Sequence, residues 1–237
     1  MPNTYFQFKQ FTVHQDQCAM KVCTDVCLFG AMIAADTLKG KNIVLDIGAG
    51  TGLLSLMYAQ KNTGATIDAV EIDAAAAQQA KENFEASPWN RRLNSIHADI
   101  ARFETNKKYD LIICNPPFFE HDLRSADAAK NTAKHDTHFE LQQLPGIINE
   151  RLSENSTWAV LLPFHRVGYF EMEASKLNFF PSRIILVRQT PTHDYFRGIL
   201  FFSRKGDPPS ITEMSIRTTG GAYSDAFIAL LKDYYLY

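Results

Sequence analysis

Asn42-Ile43-Val44-Leu45-Asp46-Ile47 is an apolar run carrying one acid near its end, and it passes directly into Gly48-Ala49-Gly50-Thr51-Gly52. No other stretch narrows the fold as much. A continuous apolar run bounded by glycines suits a strand buried on both faces, the kind found in parallel sheets flanked by helices. A helical segment, Leu53 to Lys61, follows at once. Glycines at such a turn let the backbone approach a ligand, and the helix start offers free N–H groups. The spacing is GxGxG with Leu at position 53, so it is not the GxGxxG dinucleotide fingerprint. A purely structural tight turn is the alternative.

The pattern then repeats. Ala65 to Asp73 reads as a second buried strand with an acidic end, followed by an Ala-rich helix over 74 to 86. Leu93 to Ala98, ending at Asp99, is a third strand, and Tyr109 to Cys114, ending at Asn115, a fourth. Strands alternating with helices imply βαβ units with right-handed crossovers, and a ligand site at the carboxyl ends of the strands. Upstream, Phe6, Phe8, Phe11 and Val13 suggest a short hairpin with one buried face, and Ala31 to Leu38 a helix closed by Gly40. Downstream, a helix over Leu141 to Leu152, a strand over Trp158 to Pro163 and a helix over Val167 to Leu177 are expected. Arg183 to Gln189 and Arg197 to Arg204 form an antiparallel pair, and Tyr223 to Tyr237 a terminal helix. Residues 119 to 139 read as a polar surface segment, and Gly206-Asp207-Pro208-Pro209 as a loop. The expectation is one domain: residues 1–19 a hairpin extension, 20–204 the core, 205–237 a tail.

With 237 residues, 46% of them hydrophobic, the chain can bury a substantial core. It has no apolar run of about 18 residues, and its start lacks a secretory apolar stretch, so no membrane and a cytoplasmic location are expected. A formal charge of -2 argues against coating nucleic acid through sheer basicity, but leaves room for a local basic patch. Cys18, Cys23, Cys27 and Cys114 have no CxxC spacing and no matching His/Cys pair, so reduced thiols and no metal are expected.

The strand ends carry the chemistry. Glu71 lies about 20 residues beyond the glycine loop, placed to accept hydrogen bonds from both hydroxyls of a ribose, an arrangement that also suits NAD. Asp99, at the end of the third strand, is placed to contact the amino group of an adenine; a helix N-cap or a solvated loop acid is the alternative. Asn115-Pro116-Pro117-Phe118 sets a carboxamide, two stiff prolines and an aromatic ring at a strand mouth, a rigid clamp for a planar amide or amino group.

As an ordered set, the glycine loop, Glu71, Asp99 and Asn115-Pro116-Pro117-Phe118 resemble the class I S-adenosylmethionine-dependent methyltransferases, specifically the amino-methylating group. The resemblance covers most of residues 20–204. It implies an α/β, Rossmann-like doubly wound sheet of about seven strands, mostly parallel with an antiparallel C-terminal strand. It also implies S-adenosylmethionine as cofactor, held by Asp46, Gly48, Gly50, Gly52, Glu71, Ile72, Asp99, Ile100 and Asn115, with Asp46 orienting the loop or meeting the cofactor's ammonium. The catalytic set is Asn115, Pro116, Pro117 and Phe118: Asn115 and the Pro116 carbonyl accept the amino hydrogens, Phe118 stacks on the base, and Phe119 lines the pocket. A base taken from a helix must be flipped out to reach such a site.

Within this group the chain is most similar to the bacterial tRNA(Val) adenine N6-methyltransferases, through Met20-Lys21-Val22-Cys23-Thr24-Asp25, Leu28-Phe29-Gly30, Asn115 to Phe119, and Asn131-Thr132-Ala133-Lys134-His135. Family members commonly carry Gly at position 23 and Arg at 134. The similarity implies that Lys21, Thr24 and Asp25 cap the methionine end of the cofactor; an ordinary helix N-terminus is the alternative. It implies a tRNA partner, with Lys130, Lys134, His135 and Arg197, and also Arg183, Arg188, Arg204 and Lys205, as candidates for a phosphate rim; a scattered solvated surface is the alternative. The expected reaction is methylation of N6 of an adenosine next to the anticodon. Protein glutamine N5-methylation fits the same clamp, whereas a dinucleotide oxidoreductase leaves Asn115-Pro116-Pro117-Phe118 unexplained.

Overall fold

The computed structural model describes residues 3–35, 42–117 and 141–236, so the expectations for Phe118, Phe119, Lys130, Lys134 and His135 lie outside the described residues. Strands β1 (Tyr5–Gln7) and β2 (Thr12–His14) form the expected hairpin, with Phe6 opposite Val13. Its buried face is aromatic: the Phe8 and Phe11 rings stack at 4.5 Å.

Helix α1 (Thr24–Ala35) begins well before the Ala31 start expected from sequence, its first turn closed by the Cys23 carbonyl accepting the Cys27 N–H at 3.1 Å. From Asp25 to Ala34 only Met32 escapes full burial. A helix buried nearly all round has no polar face, hence no period to read.

The core alternates as anticipated: β3 (Ile43–Ile47), α2 (Leu53–Lys61), β4 (Thr66–Glu71), α3 (Ala74–Glu85), β5 (Leu93–His97) and β6 (Tyr109–Cys114). Then come α4 (Leu144–Arg151), β7 (Leu152–Pro163), α5 (Val167–Ser175), β8 (Phe180–Arg188), β9 (Tyr195–Ser203), β10 (Ser210–Ser215) and α6 (Asp225–Leu231). The described strands of the large sheet run in the order β10-β8-β9-β7-β6-β3-β4-β5. Only β9 opposes the others, pairing antiparallel with both β7 and β8. Eight strands replace the expected seven or so because β10 adds to the edge, parallel to β8. Its sequence, Ser-Ile-Thr-Glu-Met-Ser, is largely exposed and lacks the apolar alternation that announces a strand. β7 likewise starts at Leu152 rather than Trp158, its first half being polar.

Successive strand residues point to opposite faces, and each face has its own core. Val44, Leu111 and Ile113 pack with α1, α2, α6 and the hairpin; Leu45, Ile112 and Val160 pack with α4 and α5. Strand order reverses at β3, which pairs with β4 on one side and β6 on the other. A crevice opens beyond the carboxyl ends at such a switch point, and the glycine loop and Asn115 both stand there. Among the described residues no helix is long and apolar enough to cross a membrane.

Candidate active site

The glycine loop turns through three left-handed residues, Gly48 (φ 69), Gly50 (φ 55) and Gly52 (φ 79). Gly52 is doubly constrained, because a Cβ there would stand 2.4 Å from the Phe84 ring. At Gly48 and Gly50 an added Cβ would meet nothing within 4 Å, so this part of the loop borders open space. Gly48 N–H donates to the Val70 carbonyl at 2.9 Å, and Gly50 N–H to Glu71 Oε2 at 2.8 Å. The other carboxylate oxygen of Glu71 accepts the Asp73 N–H at 3.0 Å. Glu71 is thereby held at the end of β4, facing the loop.

Asp46 is fully buried at β3. Its Oδ2 accepts the Ser55 hydroxyl at 2.7 Å, tying the strand to α2, while Oδ1 has no partner among the described residues. Burial pushes this carboxyl up to about 7; the Ser55 hydrogen bond opposes the shift and the charge of Glu71 adds to it. A buried carboxylate with an open lone pair fits a positively charged group. Burial, then the charges of Asp46 and Glu71, also raise the Cys114 thiol well above its usual range, leaving it inert.

Asp99 lies just past β5, where its Oδ1 accepts the Ala101 N–H at 2.9 Å and its carbonyl the Arg102 N–H at 2.9 Å. That oxygen serves the local turn; Oδ2 stands 3.7 Å from Arg102 Nε. Ile100 is buried beneath the turn, and Ile72 is half-buried beside Glu71. Asn115 extends β6, with Pro116 buried and Pro117 exposed. Its Nδ2 contacts Met20 Sδ at 3.7 Å, and its buried Oδ1 has no partner among the described residues.

The segment before α1 closes over this crevice. Lys21 Nζ donates to the carbonyls of Gln15 and Cys18, Gln15 Oε1 accepts the Val22 N–H at 2.7 Å, and burial, then the charge of Glu71, push the Cys18 thiol up to about 11. Lys21 therefore braces its own segment. Thr24 is half-buried at the first position of α1. Asp25 pairs with Arg197, Nε to Oδ2 at 2.8 Å, which clips β9 to α1. Sequence reasoning missed two polar residues of α3. Gln79 Oε1 accepts the Gln17 N–H at 2.8 Å, and Asn83 joins His14 to the Thr51 carbonyl of the glycine loop. Their spacing of one helical turn on an otherwise Ala-rich helix was the available signal.

The candidate rim divides. Arg188 and Arg197 stand toward the Asn115 edge of the sheet, Arg188 paired with Glu213 at 2.7 Å. Arg183 lies over Phe201, and Arg204 bonds Asn149 and Leu177; with Lys205 they occupy the opposite edge.

A family model described as methyltransferase small domain matches residues 24–139. A tRNA1(Val) (adenine(37)-N6)-methyltransferase of Dyadobacter fermentans is 41% identical over 238 residues, spanning 99% of this chain and 98% of the relative. A Flavobacterium johnsoniae protein of the same name is 40% identical over 234 residues, spanning 98% and 99%. The chain belongs to this family. A predicted O-methyltransferase from Agrobacterium tumefaciens shares the fold, with a TM-score of 0.66 at 16% identity over 87% of this chain and 97% of that one. As a member of the tRNA1(Val) (adenine(37)-N6)-methyltransferase family, the chain is an S-adenosylmethionine-dependent methyltransferase. The residues present fit that cofactor: open space beside Gly48 and Gly50 for a ligand backbone, a carboxylate at Glu71, and the orphaned Asp46 Oδ1.

Proposed function

We propose that the protein methylates N6 of an adenosine in tRNA, at position 37 beside the anticodon of tRNA1(Val). The observation that carries this reading is Asn115 Oδ1: a buried acceptor with no donor among the described residues, at the end of β6 and one strand from the glycine loop. S-adenosylmethionine, when bound, would supply a sulfonium-activated methyl group whose transfer leaves a neutral thioether. Glu71 takes the ribose hydroxyls and Asp46 the ammonium, which fixes the donor on the β3–β4 side. Asn115 Oδ1 and the Pro116 carbonyl accept the two amino hydrogens of adenine. That draws the amine out of conjugation with its ring and points its lone pair across the crevice. Proximity and alignment supply most of the rate, because no strong base is required: the nitrogen becomes acidic once it carries the extra methyl. Phe118, next in the chain, is assigned to stack on the base.

The test is methyl transfer to a tRNA1(Val) transcript, read by mass spectrometry of its nucleosides. N6-methyladenosine at one position is the expected product. Asn115→Ala should lose about 100-fold in rate while still binding S-adenosylhomocysteine; full activity in a folded Asn115→Ala protein would overturn the assignment.

A further inference from the structure

Phe164 is a large ring with 39% of its surface exposed, and it stands immediately after Pro163. In the parallel pairing of β6 with β7, Cys114 lies opposite Val160. Pro163 stands as far beyond Val160 as Pro117 stands beyond Cys114, so Phe164 emerges just past the level of Pro117. Its ring packs at 5.3 Å and 51° against Tyr195, the first residue of β9. Tyr195 is well braced: the Arg188 guanidinium lies 5.4 Å over its ring and is itself fixed by Glu213 at 2.7 Å and Ser215 at 3.2 Å. An isolated exposed aromatic residue needs no explanation. A braced pair of rings at the carboxyl edge, next to the acceptor side of a methyl-transfer crevice, has a chemistry to offer.

The order of strands says what arrives there. Across the sheet run β4 with Glu71, β3 with the glycine loop, β6 with Asn115, β7 with Phe164 and β9 with Tyr195. At about 4.8 Å per strand, Phe164 is roughly 5 Å and Tyr195 roughly 10 Å to the side of Asn115, away from the cofactor. With the cofactor assigned to the β3–β4 side, the β7–β9 side of Asn115 is described surface left for the RNA strand that carries the target. Drawing one adenine out of a loop strips the stacking partner from its neighbours. Single-stranded RNA is held on protein surfaces by stacking bases on aromatic rings with arginine alongside.

We propose that Phe164 and Tyr195 form a shelf on which the base of the nucleotide adjacent to the target adenosine stacks, standing in for the target base once that base has entered the clamp. This rests on the proposed RNA methylation and adds to it a site for the flanking nucleotide. The shelf makes the neighbour's base part of recognition without reading its identity, because every base has a face to stack.

The experiment uses a tRNA1(Val) transcript and two versions lacking only the base 5′ or 3′ of the target, with wild type, Phe164→Ala and Phe164→Trp. Phe164→Ala should raise the KM for intact RNA roughly ten-fold, the scale of one stacked base, with S-adenosylhomocysteine affinity by calorimetry left where it is. Phe164→Trp should restore the KM. One of the two abasic RNAs should weaken wild type by a similar factor and weaken Phe164→Ala little further. An unchanged KM in Phe164→Ala, or a full additional weakening with both abasic RNAs, overturns the shelf alone. A wild type that transfers methyl to none of the three RNAs sinks the shelf and the proposed function together.

Discussion

Asp46 is held inside the protein with one oxygen bonded to Ser55 and the other without a partner among the described residues. In the unfolded chain it titrates near 3.8, and in the fold near 7. Between those values the folded form holds the extra proton, so raising the pH through this window removes stability, and the full penalty stands above about 7. Asp46→Asn keeps an acceptor for Ser55 and drops the penalty. In denaturation without cofactor its advantage over wild type should therefore grow from about pH 5 to about pH 8, on a scale of about 1.4 kcal/mol per pKa unit. An ammonium seated on Asp46, as proposed for the cofactor, would favour the ionised form, so binding should run the other way. Wild-type affinity for S-adenosylhomocysteine should fall as the pH drops from about 8 to 6, and Asp46→Asn should bind weakly with a flat profile. A stability difference that does not change with pH would remove the basis for both expectations.

Between elements, the crevice depends on two kinds of fastening. One is backbone: Gly52 enters α2 at φ 79, and its missing Cβ is the space taken by the Phe84 ring of α3. Gly52→Ala should cost about 3 kcal/mol from strain and overlap together. Gly48→Ala has strain but no clash and should cost about 1 kcal/mol. Urea titrations compare the two, and equal costs would show that the packing against Phe84 relaxes freely. The other fastening is the Arg197–Asp25 pair that joins β9 to α1. Its side chains are 25% and 11% exposed, so Arg197→Met and Asp25→Asn should each cost about 2 kcal/mol, with the double variant losing little more than either. If Arg197→Met instead left stability intact and weakened tRNA binding, Arg197 would belong to the phosphate rim after all.

Over the whole molecule, the cofactor crevice joins elements far apart in sequence: the segment before α1, the glycine loop, α3 and the end of β6. Ligand binding should therefore stabilise the protein as a unit. At a concentration 100 times its dissociation constant, S-adenosylhomocysteine should add about 2.7 kcal/mol, or about 5 to 10 °C in a thermal scan for a chain of this size. NAD should add nothing, and stabilisation by NAD alone would overturn the choice of cofactor. The negative net charge fits a protein that grips RNA locally through few cations. The division of the candidate arginines between two sheet edges points the same way.

What the sequence determined by itself is the set of strand ends. Each buried strand announces itself as an apolar run, and the residue that closes it, Glu71 or Asn115, must stand at the carboxyl edge because parallel strands share one direction. The glycines of the loop were legible because only Gly populates those left-handed angles without penalty. Other features became visible only in the tertiary structure. α1 has no period because it is buried nearly all round, β10 has no apolar signal because it lies largely exposed, and the first half of β7 has none because its residues after Leu152 are polar. Partner choice is also invisible in a chain read residue by residue. Whether Lys21 reaches the cofactor or the Gln15 and Cys18 carbonyls, and whether Arg197 meets a phosphate or Asp25, depends on which groups the fold sets beside them. The Phe164–Tyr195 pair was hidden for the same reason: two aromatic residues on separate elements become neighbours through the insertion of an antiparallel β9 against β7, a pairing that no local pattern encodes.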